Sequence, residues 1–287
     1  MTQREGIENM SSTRAWSAGC MNSIAAFLLG LFIHSSAIAQ DLGTIFTDDW
    51  WDPNESGWGL VVAHQQNFMF TTFFIYRADG SSYWVTGQLQ KVGTSGLGAF
   101  PVVFSGPVYE THGSGFAQPW NPAAFGIQQV GTATFSASTF VTATLQYSIN
   151  GTNVTKQLQR QTLSTVNYSS TYAGGSLWTL SQCVPAASAG NGVTQSNSGT
   201  LTIVQSGSSF QATAVGPNSC SFNGSYTQQG SLGHVDGTFS CGTGEVGTFT
   251  MFGMQWTLFG MSAGITGRSQ FCTFTGVVGG MTGMHIQ

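Results

Sequence analysis

Apolar and polar residues alternate with a period of two along several stretches beyond residue 58, a pattern that predicts β-strands. Beyond residue 39, no stretch of a dozen residues in the sequence shows the 3.6-residue period of a helix. Short polar turns separate the stretches, and one of them carries the hairpin-favouring pair Asp79-Gly80. The predicted strands include residues 59–64, 68–77, 82–90 and 126–136. The chain is therefore predicted to be all-β, built from antiparallel meanders.

The predicted strand of residues 68–77 is apolar on both faces. One face would carry Phe68, Phe70, Phe74 and Tyr76, and the other would carry Met69, Phe73 and Ile75. Strands with apolar residues on both faces are typically covered on both. We therefore expect this strand to be buried on each side.

Asn150-Gly151 gives the clearest hairpin signal, because these two residue types tolerate the positive φ of a two-residue turn. A turn there pairs Ile149 with Thr152 and Ala143 with Leu158. The preceding strand alternates strictly, which predicts one buried and one solvated face. The buried face would hold Ala143, Leu145, Tyr147 and Ile149.

The first 39 residues read as a secretory signal. An uncharged apolar run over residues 23–33 precedes the small-residue triplet Ala37-Ile38-Ala39, which predicts cleavage near Ala39. The run is about half of the ~20 residues that span a bilayer, so no permanent membrane anchor is expected. The mature protein is predicted to be exported, to the periplasm or the extracellular medium.

The rest of the chain is predicted to form one or two β domains of up-and-down β-barrel-like or sandwich structure. A segment rich in serine and threonine between the two halves is predicted to be a linker. Within the first half, residues 93–122 are predicted to be a looser glycine- and proline-containing stretch. The predicted units are residues 1–39 (signal), 40–163 (aromatic-rich domain), 164–172 (linker) and 173–287 (cysteine-bearing domain).

Four cysteines follow the predicted signal, and an even number in an oxidising compartment favours two disulfides. If residues 229–232 form a hairpin turn, Cys220 faces Cys241 across the two strands. Cys183 is then left to pair with Cys272, which ties the start of the domain to its last strand and fits a meander that closes into a barrel. The cysteines contain no C-x-x-C pair, so zinc binding is disfavoured.

Charged residues make up only 6% of the chain. Beyond residue 39 there are five basic residues against nine acidic ones, too few cations to neutralise a run of phosphates. Nucleic acid is therefore not expected as a partner. An aromatic content of 13% supplies far more apolar surface than disordered chains have.

Acidic and tryptophan side chains cluster in residues 48–59. Asp48, Asp49, Asp52 and Glu55 are candidate calcium ligands, because hard cations bind several carboxylate oxygens. Trp51 and Trp58 are candidate platforms for stacking on sugars. The alternative is structural: residues 52–55 form a turn with proline in second position, and the tryptophans close the end of a barrel.

The sequence Trp51-Asp52-Pro53-Asn54-Glu55-Ser56-Gly57-Trp58-Gly59 also carries a resemblance. Together with Asp79-Gly80, Trp84, the segment 130–135 and the Asn150-Gly151 hairpin, it resembles an uncharacterised family of secreted proteobacterial proteins that open on W-x-P-x-E-S-G-W-G. The resemblance covers about residues 50–163 and implies an exported bacterial protein; that family has no assigned activity. The cysteine-bearing second half departs from its single-unit form.

Plentiful aromatic residues and few, unclustered titratable ones favour a non-enzymatic ligand-binding or surface-interaction module, with no catalytic residue assigned. The expected partner is a carbohydrate or a small hydrophobic molecule, bound by Trp51, Trp58, Trp84 and Tyr76. One alternative is a secreted hydrolase acting on a polysaccharide or ester through Asp52, Glu55 or Ser262, the last lying in a G-x-S-x-G match. Another alternative is an outer-membrane β-barrel.

Overall fold

A computed structural model of the protein describes residues 46–92, 100–216, 218–257 and 259–282, which belong to one compact unit. The predicted signal and its cleavage site lie outside the described residues. The described residues form two consecutive eight-stranded antiparallel barrels, each closed by pairing of its first and last strands. The all-β prediction is confirmed, and the barrel alternative holds over the sandwich.

The first barrel runs from residue 48 to residue 160. Trp50 on its first strand pairs with Arg160 on its last strand, which closes the sheet. A short 3₁₀ turn, Pro122–Ala124, precedes the sixth strand. The strands are β1 (Asp48–Trp51), β2 (Gly59–Gln65), β3 (Phe68–Tyr76), β4 (Ser82–Val92), β5 (Val102–His112), β6 (Gly126–Ala137), β7 (Thr142–Ile149) and β8 (Thr152–Arg160).

The second barrel has the same up-and-down order. A second 3₁₀ turn, Pro185–Gly190, lies between its first two strands, and Phe274 on the last strand pairs with Leu180 on the first. The strands are β9 (Ser170–Ser181), β10 (Thr194–Ser206), β11 (Ser209–Val215), β12 (Cys220–Gln229), β13 (Leu232–Cys241), β14 (Val246–Thr257), β15 (Gly260–Ser269) and β16 (Thr273–Thr282).

The predicted β7–β8 hairpin is confirmed in register. Ile149 faces Thr152 and Ala143 faces Leu158, with φ values of 50° at Asn150 and 81° at Gly151. The predicted cysteine pairing is also confirmed. Disulfides join Cys183 to Cys272 and Cys220 to Cys241.

The prediction that β3 is covered on both faces was wrong. Met69 and Phe73 are fully buried in the first barrel, whereas Phe70, Phe74 and Tyr76 on the opposite face are exposed. A strand in a single closed barrel has only one interior face. Apolar residues on both faces therefore do not require a second covering layer here.

The prediction of an irregular stretch over residues 93–122 was also wrong in part, because β5 lies within these residues. Gly106 and Pro107 hid this strand, since both residue types are depleted in strands. Pairing between β4 and β5 is interrupted at these two positions, so the missing N–H of proline costs no hydrogen bond to β4. A Cβ at Gly106 would lie 2.1 Å from the carbonyl oxygen of Gln88, which explains the glycine.

The segment predicted as a linker, residues 164–172, is not a solvated connection. Tyr168 is fully buried, and Tyr172 is buried within β9, which already begins at Ser170. The Tyr168 hydroxyl donates a hydrogen bond to the carbonyl of Met254 at 2.7 Å. The segment therefore packs into one end of the second barrel.

The interiors of the two barrels differ. The first is filled by interlocking aromatic rings, with Trp50 and Phe135 5.0 Å apart and Phe46 and Phe104 6.0 Å apart between ring centres. All four side chains are fully buried. The first barrel thus encloses a packed core, whereas the second has a core at one end only and a cavity at the other.

Candidate functional site

The second barrel encloses a cavity of about 410 Å³, within the size range of small-molecule binding pockets. Its lining is mostly apolar and aromatic. Tyr172, Met251 and Ile265 lie at its inner end, and Thr243 and Glu245 lie at its mouth. Between them the walls carry Trp178, Leu180, Leu201, Phe222, Phe239, Phe274 and Val278.

Inward-facing glycines explain why this interior is hollow. In β14 and β15, Gly247 and Gly267 occupy inward positions, and a Cβ there would lie 2.8 Å from the ring of Phe239 and 2.4 Å from that of Phe274. The aromatic rings therefore lie against the barrel wall over glycines on neighbouring strands, and the centre stays open. Small residues facing large ones are a known way of shaping a barrel interior.

The mouth of the cavity is built around the two disulfides, whose cysteines all belong to the mouth region of the second barrel. Cys183–Cys272 anchors the 3₁₀ turn Pro185–Gly190 next to the opening. A Cβ at Gly190 would lie 3.3 Å from the sulfur of Cys183, so the turn packs directly on the disulfide. Two disulfides in this chain indicate an oxidising, non-cytoplasmic compartment.

The opposite end of the second barrel is closed by the segment before β9. Gln205 accepts a hydrogen bond from the backbone N of Tyr168 at 3.0 Å, and the Tyr172 hydroxyl donates to the carbonyl of Tyr168 at 2.8 Å. Burial raises the pKa of Tyr172 to about 12. Burial, with the neighbouring Tyr226, raises the pKa of Tyr168 as well. The second barrel is thus closed at the end that holds Tyr168 and open at the disulfide end.

Stability is expected to fall as pH rises from 10 through about 12. The folded pKa of Tyr172 lies above its ordinary value of 10, so the unfolded chain ionises first and its population rises with pH. Tyr172 alone should contribute a loss on the order of 2 kcal/mol across this window. Urea unfolding below pH 10 and near pH 12 measures it. The variant Tyr172→Phe should show a smaller loss, and an unchanged pH dependence would contradict the assignment.

The acidic cluster is not a single site. Asp48 Oδ2 lies 2.7 Å from Nη1 of Arg160 and accepts hydrogen bonds from the backbone N and hydroxyl of Ser231 at 2.8 and 2.9 Å. The Arg160 side chain is 0% exposed, its guanidinium lies 4.9 Å from the Trp50 ring, and burial lowers the pKa of Arg160. A Cβ at Gly230 would lie 2.4 Å from Oδ2. Asp48 therefore joins the two barrels.

The loop between β1 and β2 is held by its own polar groups. The carbonyl of Asp52 accepts a hydrogen bond from the backbone N of Glu55 at 3.0 Å, as the predicted proline turn requires. Glu55 accepts a hydrogen bond from Trp58 Nε1 at 3.0 Å and forms an ion pair with Lys156. The predicted turn over residues 52–55, with proline in second position, is therefore confirmed.

The structure does not bring the candidate calcium ligands together. Asp48 and Glu55 each face a cation, and no group of three or more histidine, cysteine, aspartate or glutamate side chains converges within the described ranges. Calcium binding at Asp48, Asp49, Asp52 and Glu55 stays a prediction for which the described residues supply no ligand set.

Two of the four candidate stacking residues share a surface. Tyr76 and Trp84 lie on the outside of the first barrel with exposed fractions of 55% and 52%. Trp58 instead packs against the barrel core, and Trp51 is half-buried on β1. We use the term outer aromatic face for Phe70, Phe74, Tyr76 and Trp84, which lie on the paired strands β3 and β4. The Tyr76 hydroxyl donates to the carbonyl of Gly57 at 2.6 Å, which fixes its ring.

The G-x-S-x-G match is not a nucleophile elbow. Ser262 lies inside β15, paired with Gly279 on β16 and Gln255 on β14. A nucleophile elbow needs a sharp turn from a strand into a helix. Asp52 and Glu55 lie in the loop between β1 and β2 of the first barrel.

Comparisons of the chain with protein-family models, curated proteins and solved structures return no significant match. No family is assigned. The resemblance to secreted proteobacterial proteins stays a prediction. Among the described residues, no helix is long and apolar enough to cross a membrane.

The cavity was missed by the sequence analysis, although a signal exists. Phenylalanine and glycine occur two residues apart, and so on one face of a strand, in four strands of the second barrel. These pairs are Phe222 and Gly224, Gly237 and Phe239, Gly247 and Phe249, and Phe274 and Gly276. In such pairs a large phenylalanine side chain alternates with a glycine on the inner wall, which indicates an incompletely filled interior.

Proposed function

We propose that this protein is an exported binding protein whose second barrel takes up a small, predominantly apolar molecule. The observation that carries the proposal is the apolar cavity of about 410 Å³, closed at one end and open at the other. Pockets of this size and lining are the usual form of small-ligand sites. The disulfides and the predicted signal support a periplasmic or extracellular location.

The variant Ala214→Phe tests this proposal. Ala214 lines the cavity between Leu201 and Cys220, so a phenylalanine there should occupy space that a ligand needs. The neutral fluorescent probe N-phenyl-1-naphthylamine is expected to bind the oxidised protein, and Ala214→Phe should weaken that binding at least about tenfold. Fluorescence titration measures both affinities.

The matched control is Thr213→Phe, on the same strand but on the outer face of the barrel, where Thr213 is exposed. It should bind the probe like the unmodified protein. Absence of saturable probe binding to the folded, unmodified protein, or equal affinity in all three proteins, would overturn the cavity as the binding site.

A second candidate function is adhesion of the outer aromatic face to a polysaccharide. It is favoured by the adjacent exposed rings of Phe74 and Trp84, which are directly paired across β3 and β4. Aromatic rings held at a surface offer apolar area at low cost in conformational entropy. Of the four predicted stacking residues, Tyr76 and Trp84 would contact the polysaccharide in this second proposal.

Affinity electrophoresis identifies a polysaccharide in the gel that retards the protein. Replacing Trp84 by alanine should weaken binding to that polysaccharide by roughly three- to tenfold. The melting temperature should hardly change, because an exposed side chain contributes little to stability. Trp256→Ala, at a comparably exposed tryptophan on the second barrel, is the control. A large drop in melting temperature for Trp84→Ala would instead assign the ring to the core.

A further inference from the structure

The walls of the cavity differ in polarity. On β9 and β10, the inward positions include Ser176 and Asn197, which are directly paired in the sheet, and Gln195, whose Oε1 accepts a hydrogen bond from Nε1 of its paired residue Trp178 at 3.2 Å. The facing strands β12 and β13 present Phe222 and Phe239 instead. Side chains on directly paired positions lie close enough to act on one group. The Ser176 hydroxyl and the Asn197 amide therefore form one polar spot on the inner wall, next to the Gln195 amide that Trp178 already engages.

Charge is distributed just as unevenly. The described residues that line the cavity include no lysine, arginine or histidine, and the one carboxylate among them is Glu245 at the mouth. A ligand carboxylate drawn into the cavity would lose its hydration without meeting a cation, which is strongly unfavourable. It would also pass the negative charge of Glu245 on entry.

We infer that the cavity selects an uncharged ligand with an apolar body and one neutral hydrogen-bonding group, such as a hydroxyl or carbonyl, which binds Ser176 and Asn197. This inference rests on the proposed function and narrows it. The serine hydroxyl both donates and accepts, and the asparagine amide offers two donors and one acceptor oxygen. Either a ligand hydroxyl or a ligand carbonyl can thus be satisfied. Fatty acids, as carboxylates, are excluded.

Competition against bound N-phenyl-1-naphthylamine tests the inference with three ligands that share one alkyl chain: decan-1-ol, decanoate and decylammonium. At neutral pH, decan-1-ol should displace the probe at least about tenfold more effectively than decanoate. Equal displacement by decanoate would overturn the inference. Stronger displacement by decylammonium than by decan-1-ol would also overturn it, because Glu245 would then select the ligand.

The variant Asn197→Leu tests whether the polar spot binds the hydroxyl of decan-1-ol. It should lower the affinity for decan-1-ol, relative to the affinity for the probe, by roughly three- to tenfold, as expected for one lost hydrogen bond. Ser196→Leu, at the neighbouring exposed position outside the cavity lining, is the matched control. If Asn197→Leu binds decan-1-ol as well as the unmodified protein, the assignment fails.

These measurements distinguish a failure of the proposed function from a failure of the charge selectivity. Without probe binding to the unmodified protein, the proposed function itself is lost. With probe binding that Ala214→Phe abolishes, but no preference among the three head groups, the cavity is a binding site and only the charge selectivity is wrong. Circular dichroism and melting curves of each variant establish that it is folded before affinities are compared.

Discussion

Replacing Asp48 by alanine is expected to lower the free energy of unfolding by about 3 to 5 kcal/mol, the usual cost of removing one partner from a buried ion pair. Arg160 would be left fully buried without its carboxylate. The same change removes both hydrogen bonds that Ser231 of the second barrel donates to Oδ2. Urea unfolding at neutral pH measures the loss.

Asp49→Ala is the matched control, because Asp49 faces away from the barrel interior on the same strand and should cost far less. In the double variant Asp48→Ala/Arg160→Met, the buried guanidinium is removed together with the Asp48 carboxylate, so part of the stability should return. If Asp48→Ala proves no less stable than Asp49→Ala, the ion pair contributes nothing measurable and the two barrels are held by other contacts.

Removing the disulfide at the mouth, in Cys183→Ala/Cys272→Ala, is expected to cost about 4 to 5 kcal/mol. The cross-link spans 89 residues, and the chain-entropy model gives a loss of this size for a loop of that length. Guanidinium unfolding of the oxidised protein and of the double variant measures it.

The second disulfide provides the comparison. Cys220–Cys241 spans only 21 residues, so Cys220→Ala/Cys241→Ala should lose about 3 kcal/mol in the same model. The ranking of the two losses is the sharper test. A larger loss from the shorter loop would show that native contacts at the mouth outweigh the entropy of the unfolded chain.

The two barrels share a topology and differ in what fills them. In the first, Trp50, Phe73 and Phe135 are fully buried in one core, where the rings of Trp50 and Phe135 lie 5.0 Å apart. In the second, Phe239 and Phe274 lie over glycines at the wall, and the centre remains accessible from the disulfide end. Function in the interior is therefore expected of the second barrel, and surface interactions of the first.

Local signals in the sequence were sufficient for several elements. The Asn150-Gly151 turn set the register of β7 and β8 because a two-residue turn leaves no freedom in pairing. The same reasoning about the turn after Gln229 placed Cys220 opposite Cys241, and elimination then gave Cys183–Cys272. The turn at Asp52 followed from proline in its second position.

Other expectations failed because they depended on the rest of the fold. Gly106 and Pro107 argued against a strand, yet an interruption in pairing with β4 accommodates them. The segment around Tyr168 has the composition of a linker, but its tyrosine is buried in the closed end of a barrel that only the complete sheet creates. Neither environment exists until distant strands have come together.

By itself, the sequence determined the all-β class, the β7–β8 register and both disulfides, because each follows from alternation, turn chemistry or the number of cysteines. Only the tertiary structure decided which apolar faces point inward, that Asp48 binds Arg160 and Ser231, and that the second barrel is hollow. The physical reason is that burial and cavity volume depend on which strands close the sheet and on the side chains that meet inside it, and these come from residues far apart in the chain.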